Sequence, residues 1–174
     1  MSSFQVMTYL VQYHEGNQLD TRHKEIIIFH LFQASFSLNM KQGDLLKAQT
    51  SLAHCVGADL KMFAGIAKLF KQKFSRIDDP DKMNCKVGQV GVLKDKGRYI
   101  YNLITKRRYN DLPTYDTLKD SLVEMKKHME ANDVTEVSLP KIGCGRNQLR
   151  WEEVRKIIKD VFQDTNIRVN ILYM

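Results

Sequence analysis

The feature that most constrains this chain is a double change of hydrophobic period near its end. Residues 134–139 are a short β-prone run, Val154, Ile157, Ile158, Val161 and Phe162 then follow the i, i+3, i+4, i+7, i+8 spacing of one helical face, and residues 167–173 are β-prone again. Strand, helix, strand in that order favours an α/β or α+β layered domain, with helices on both faces of a mixed sheet.

The upstream pattern extends the same architecture. Phe36, Leu38 and Met40 alternate with polar residues as a half-buried strand does, and Gly43 ends it. Residues 51–56 predict a second strand running into Gly57, and Met62, Ile66, Leu69 and Phe70 predict one apolar face of a helix that closes on Lys71 and Lys73. Residues 89–94 and 98–105 form a predicted hairpin across Asp95-Lys96-Gly97. Pro113-Thr114 opens a long helix, with Thr114 as N-cap, Asp116 in the first turn, and Leu118, Leu122, Met125 and Met129 along one stripe. Residues 1–35 lack clean periodicity, and the β-prone run at Ile26, Ile27, Ile28 and Phe29 has no obvious partner. They read as an N-terminal extension to a domain spanning 36–174.

Composition removes several classes of function. At 174 residues one core is expected. The densest apolar run, 26–36, falls short of the roughly 20 residues a bilayer crossing needs, and the start lacks the charge and cleavage pattern of a secretory signal. No membrane association is expected, and an intracellular site, nucleus or cytoplasm, follows. Cys55, Cys85 and Cys144 show no CxxC spacing and the histidines no HExxH or HxH pair, so free thiols and no metal centre are expected. Lysine plus arginine number 27 against 20 acidic residues, a net charge of +7, which points to an anionic partner: nucleic acid, a nucleotide or an acidic protein surface. The basic residues are spread along the chain and no aromatic RNA-binding motif accompanies them, which argues against a specific nucleic-acid reader.

Three segments have residue types suited to binding an anionic ligand. Leu139-Pro140-Lys141-Ile142-Gly143-Cys144-Gly145-Arg146-Asn147 lies between a strand and a helix, where two glycines free the backbone to aim several N–H groups at one point. An ordinary glycine turn has the same appearance, and neither GxGxxG nor GxxxxGK[ST] occurs. Gly57 and the small run Ala64-Gly65-Ile66-Ala67 would let a ligand approach the backbone, or equally let a helix pack closely on a strand. Asp44 follows the first strand, where a carboxylate either accepts from an exocyclic amine or caps a turn.

The order of five blocks is more telling than any one of them. QGDLL (42–46), SLAHCVGADLKMFAGIAKLFKQKF (51–74), GRYIYNLITK (97–106), PTYDTLKDSL (113–122) and LPKIGCGRNQLRWEEV (139–154) together resemble the macrodomain family. The likeness covers about 36–174 and is strongest to its terminal ADP-ribose protein glycohydrolase, or O-acetyl-ADP-ribose deacetylase, branch. It implies a three-layer sandwich and an ADP-ribose cleft at the strand ends, with no cofactor. ADP-ribose, or ADP-ribosylated protein or nucleic acid, would be the partner of a monomeric hydrolase. By that resemblance Asp44 holds the adenine amine and Leu45 offers neighbouring backbone. Gly57 lines the distal side; Lys141, Ile142, Gly143, Cys144, Gly145, Arg146 and Asn147 wrap the phosphates and distal ribose, and Met174 sits near the adenine. Lys106 matches the branch's nucleophile, with Arg107 and Arg108 beside it.

Three positions depart from the branch. Asn147 stands where it has an aspartate that moves protons, Phe63 where it has glycine, and Arg146 where it has an apolar residue. An amide cannot carry a proton, and losing a positioned acid–base group costs about 10²–10⁴ in rate. The alternative to a hydrolase is therefore a reader that binds ADP-ribose without cleaving it.

Overall fold

The computed structural model describes residues 36–74 and 86–173. The expected extension, Cys85 and Met174 lie outside the described residues. Six strands form one sheet: β1 (Ser37–Gln42), β2 (Ser51–Gly57), β3 (Val90–Asp95), β4 (Arg98–Lys106), β5 (Glu136–Leu139) and β6 (Arg168–Tyr173), in the order β1-β6-β5-β2-β4-β3. All neighbours run parallel except β3 and β4, so the sheet is mixed as its sequence pattern predicts.

Alternating side chains of the strands feed two separate cores, because successive residues of a strand point to opposite faces. Ala53, Tyr101, Leu103, Val137, Leu139, Val169 and Ile171 pack against α2 (Tyr115–Ala131) and α3 (Trp151–Phe162). Leu52, Val56, Ile100 and Ile104 pack on the other face with Leu45, Met62, Phe70 and Phe74, which brings in α1 (Gly65–Lys73) and a 3-10 turn at Leu45–Lys47. Helix, sheet and helix make the three layers.

Several local expectations hold for the reasons given. Leu118, Leu122, Met125 and Met129 are the buried stripe of α2, and Thr114 caps it by accepting from Thr117 N at 3.1 Å while Thr117 Oγ1 accepts from Thr114 N at 3.1 Å. The hairpin turn places both Lys96 (φ 46°) and Gly97 (φ 85°) in the left-handed region, the pairing that matches the twist of a two-residue connection. The first helix differs from its sequence reading. It begins at Gly65, so Met62 lies before it, buried by the loop, and Leu69 is 42% exposed. Nine residues bury a narrow stripe centred on Phe70, whose ring meets His54 at 4.0 Å and Phe74 at 5.4 Å.

Candidate functional site

Three parallel strands end side by side where the candidate residues gather, at the carboxyl edge where open α/β sheets bind ligands. Lys106 ends β4, Gly57 ends β2, and the glycine loop follows β5. The pairing of β2 with β4 slips at this point. Val56 faces Ile104 and Gly57 faces Lys106, so Thr105 is an extra residue in β4 that re-aims Lys106. Two hydrogen bonds from α2 pin the strand just before it, Thr117 Oγ1 to Thr105 O at 2.8 Å and Ser121 Oγ to Ile104 O at 3.2 Å.

Lys106 reaches past the end of β2 and donates from Nζ to Asn147 Oδ1 at 2.7 Å. Desolvation lowers its pKa below the ordinary lysine value, and Cys55, Asp111 and Asp59 pull it part of the way back. The acceptor is neutral, so the contact holds the nitrogen in place without the added preference for the charged form that a carboxylate would give. On its flank, Lys106 lines a pocket of about 430 Å³ with Thr105, Asp111 and Thr117.

The loop from Pro140 to Asn147 is folded on its own backbone. Ile142 N donates to Pro140 O at 2.7 Å, Cys144 N to Lys141 O at 3.2 Å and Leu149 N to Gly143 O at 2.9 Å. Ile142 anchors it, buried in the core. Gly143 has φ +72°, and a Cβ there would meet Leu149 Cδ1 at 2.8 Å, whereas a Cβ on Gly145 would meet nothing within 4 Å. The N–H groups of Gly145, Arg146 and Asn147 have no acceptor among the described residues, three consecutive donors in a loop whose Gly145 and Arg146 are exposed. Beneath it, burial pushes the Cys55 thiol up to about 12, with Thr105, the Gly143 N–H and Lys106 offsetting part of that rise. That thiol is not a nucleophile at neutral pH. Cys144 Sγ donates to Ile142 O at 3.2 Å, and burial raises this thiol too.

The remaining sequence candidates are spread around this centre. Asp44 caps the 3-10 turn, accepting from Leu46 N at 2.9 Å, with Lys47 3.9 Å from its other oxygen. Leu45 is 5% exposed, so its side chain belongs to the core. Lys141 lays its ammonium over the Trp151 and Tyr173 rings, at 5.9 and 5.5 Å. Arg146 is exposed. Gly57 is a close approach: a Cβ would lie 2.7 Å from Asp59 Oδ1, 2.9 Å from Arg108 C and 3.0 Å from Tyr109 N. Arg107 and Arg108 are both exposed beyond the strand end.

Sequence reasoning missed the strap that follows Lys106. Ala58 N donates to Lys106 O at 2.9 Å, Asp59 N to Arg107 O at 3.2 Å and Tyr109 N to Asp59 Oδ2 at 3.1 Å, binding residues 106–109 to the end of β2. Phe63 and Tyr109 then meet edge to face at 5.4 Å, both exposed. The signal available was the Gly57-Ala58-Asp59 run, small residues followed by an acceptor.

A macro domain family model matches residues 47–158, and the chain belongs to that family. It is 49% identical over 132 residues, 75% of this chain and 87% of the relative, to a Bos taurus protein named ADP-ribose glycohydrolase OARD1. The human protein of that name is 47% identical over the same shares. A DNA ADP-ribosyl glycohydrolase of Mycobacterium tuberculosis is 27% identical over 70% of this chain and 37% of its own length. Among solved structures, the macrodomain of Thermus aquaticus DarG superposes with a TM-score of 0.72 at 22% identity, covering 80% of this chain and 99% of that one.

Proposed function

We propose that this protein is an ADP-ribose glycohydrolase that releases ADP-ribose from a modified protein or nucleic acid, with Lys106 as nucleophile. The observation that carries the reading is the Lys106–Asn147 contact at 2.7 Å. It holds a half-buried amine, its pKa lowered by desolvation, beside a loop with three unpaired backbone donors. Backbone donors suit a diphosphate, and an amine reacts at the anomeric carbon only when unprotonated. Similarity at 49% to a protein named ADP-ribose glycohydrolase supports the same reading.

In this scheme Gly145, Arg146 and Asn147 hold the diphosphate through their N–H groups, and the Lys106 lone pair attacks the anomeric carbon of the distal ribose. Arg146, exposed at the loop's edge, adds a charge-assisted contact to phosphate. Asp44 and Leu45 lie at the adenine end. A single-turnover assay on glutamate-linked ADP-ribose tests the scheme. Release from the parent chain should exceed that from Lys106→Ala, and intact mass should show a ribosyl adduct that the variant lacks.

The second reading, a module that binds ADP-ribose without cleaving it, is favoured by the carboxamide at Asn147. Calorimetric binding of ADP-ribose, with no release above the Lys106→Ala level and no adduct, would select it.

A further inference from the structure

The pocket beside Lys106 contains a carboxylate that the scheme above leaves unused. Residues 107–110 are exposed, but Asp111 turns back and is half-buried. Its Oδ2 accepts from Arg108 N at 2.9 Å and its own N donates to Arg108 O at 3.1 Å, closing a tight turn that sets the carboxylate in the pocket with Lys106. Among the described residues its Oδ1 has no hydrogen-bond partner. Asp59 also acts electrostatically on Lys106, but both of its oxygens are engaged, Oδ1 by Lys61 N at 3.3 Å and Oδ2 by Tyr109 N at 3.1 Å. Asp111 is thus the one of the two with an oxygen to spare. Lys106 and Asp111 line the same pocket without a direct ion pair, and the Asp111 charge draws the Lys106 pKa upward against desolvation.

We propose that Asp111 carries the protons of the lysine-centred reaction, a task for which the carboxamide of Asn147 has no titratable site. The proposal rests on the reading of Lys106 as nucleophile. As Nζ bonds to the anomeric carbon, the bond from that carbon to the acceptor oxygen breaks and the oxygen leaves with the electron pair. One Nζ proton then passes through a pocket water to the Asp111 carboxylate. In the second half, Asp111 returns that proton to Nζ as the carbon–nitrogen bond breaks. Water adds to the carbon and gives up a proton to Asp111, which releases it to solvent. Asn147 positions the nitrogen through its carbonyl oxygen, and Asp111 exchanges protons with it, so the two duties fall on different residues.

Asp111→Asn separates this role from a structural one, because asparagine keeps the oxygen that accepts from Arg108 N and loses the proton-accepting site together with the charge that draws the Lys106 pKa upward. On glutamate-linked ADP-ribose, followed by intact mass and product release, Asp111→Asn should accumulate the Lys106 adduct. Its decay should slow by about 10²-fold or more relative to the parent. Asp111→Glu should retain much of the parent rate, and the double variant Asp111→Asn/Asn147→Asp should recover decay by restoring a carboxylate beside Nζ. Decay in Asp111→Asn at the parent rate, or release at the parent rate without accumulation, overturns the role of Asp111 while leaving Lys106 as nucleophile. If neither parent nor variants form an adduct and Lys106→Ala releases product as the parent does, the nucleophile reading fails and this proposal fails with it.

Discussion

Lys106 and Asn147 are 41 residues apart in sequence, yet their side chains meet at 2.7 Å across the end of the strand between them. The amide oxygen can accept from an amine or from an ammonium, more strongly from the latter, but it brings no opposite charge to hold the nitrogen protonated. Desolvation then has the larger influence and favours the neutral amine.

Replacing that neutral acceptor with a carboxylate should reverse the balance. In Asn147→Asp an anion within hydrogen-bond distance favours the ammonium, and such a partner raises a pKa by about 1–3 units. The acid limb of adduct formation against pH should therefore move to higher pH, making attack at pH 7 slower than in the parent. Single-turnover adduct formation across pH checks the direction; an unmoved limb would show that Asn147 does not sense the lysine charge.

The three glycines of the site should respond in two different ways. Gly57→Ala forces a methyl within 3.0 Å of the Arg108 and Tyr109 backbone, and Gly143→Ala adds a left-handed φ of +72° to a 2.8 Å contact with Leu149. Each should cost about 1–3 kcal/mol in urea titration, as overpacking does. Gly145→Ala meets nothing within 4 Å, so its stability should stay within about 0.5 kcal/mol of the parent. Its ADP-ribose affinity by calorimetry should still fall, because the methyl is added to the loop segment whose N–H groups are proposed to hold the diphosphate.

The strand end bearing Lys106 depends on a helix start. Thr117 closes the capping box of α2 and donates to Thr105 O at 2.8 Å. Thr117→Val removes both and should cost about 1–2 kcal/mol. It should also slow adduct formation while leaving ADP-ribose affinity near the parent value, since the diphosphate loop belongs to a different strand. A drop in affinity as large as the drop in rate would argue against that division.

Much of this architecture is legible from periodicity and caps. The stripe from Leu118 to Met129, the Thr114 cap and the Lys96-Gly97 turn follow from local chemistry, and the ordered blocks identify the family. Contacts between distant segments are not written in that form. Nothing local says that β2 lies between β4 and β5, which is what brings Lys106 to Asn147. Leu69 has an apolar side chain at helical spacing yet faces outward, because a nine-residue helix buries only the stripe around Phe70. Phe63 and Tyr109 meet only because Asp59 ties the strap to β2. The inward turn of Asp111 needs the Arg108 backbone bonds, which no residue pattern announces.

Beneath the site, His54 should make the fold acid-sensitive. Its Nε2 lies 2.7 Å from Asn102 Oδ1 in a fully buried position. Desolvation lowers its pKa from 6.5 to about 4, with the Asn102 hydrogen bond opposing the shift. The unfolded chain binds a proton near pH 6.5 and the folded chain only near 4, so between these values the unfolded state holds more protons and stability falls as the pH drops. The stabilisation is fully present above pH 6.5, and its loss by pH 4 amounts to about 3 kcal/mol. His54→Gln keeps a polar partner for Asn102 without a titrating ring. Urea unfolding from pH 7 to 4 should give a steeper decline in the parent than in the variant, the difference opening below pH 6.5. Parallel curves would assign the acid sensitivity to carboxylates instead.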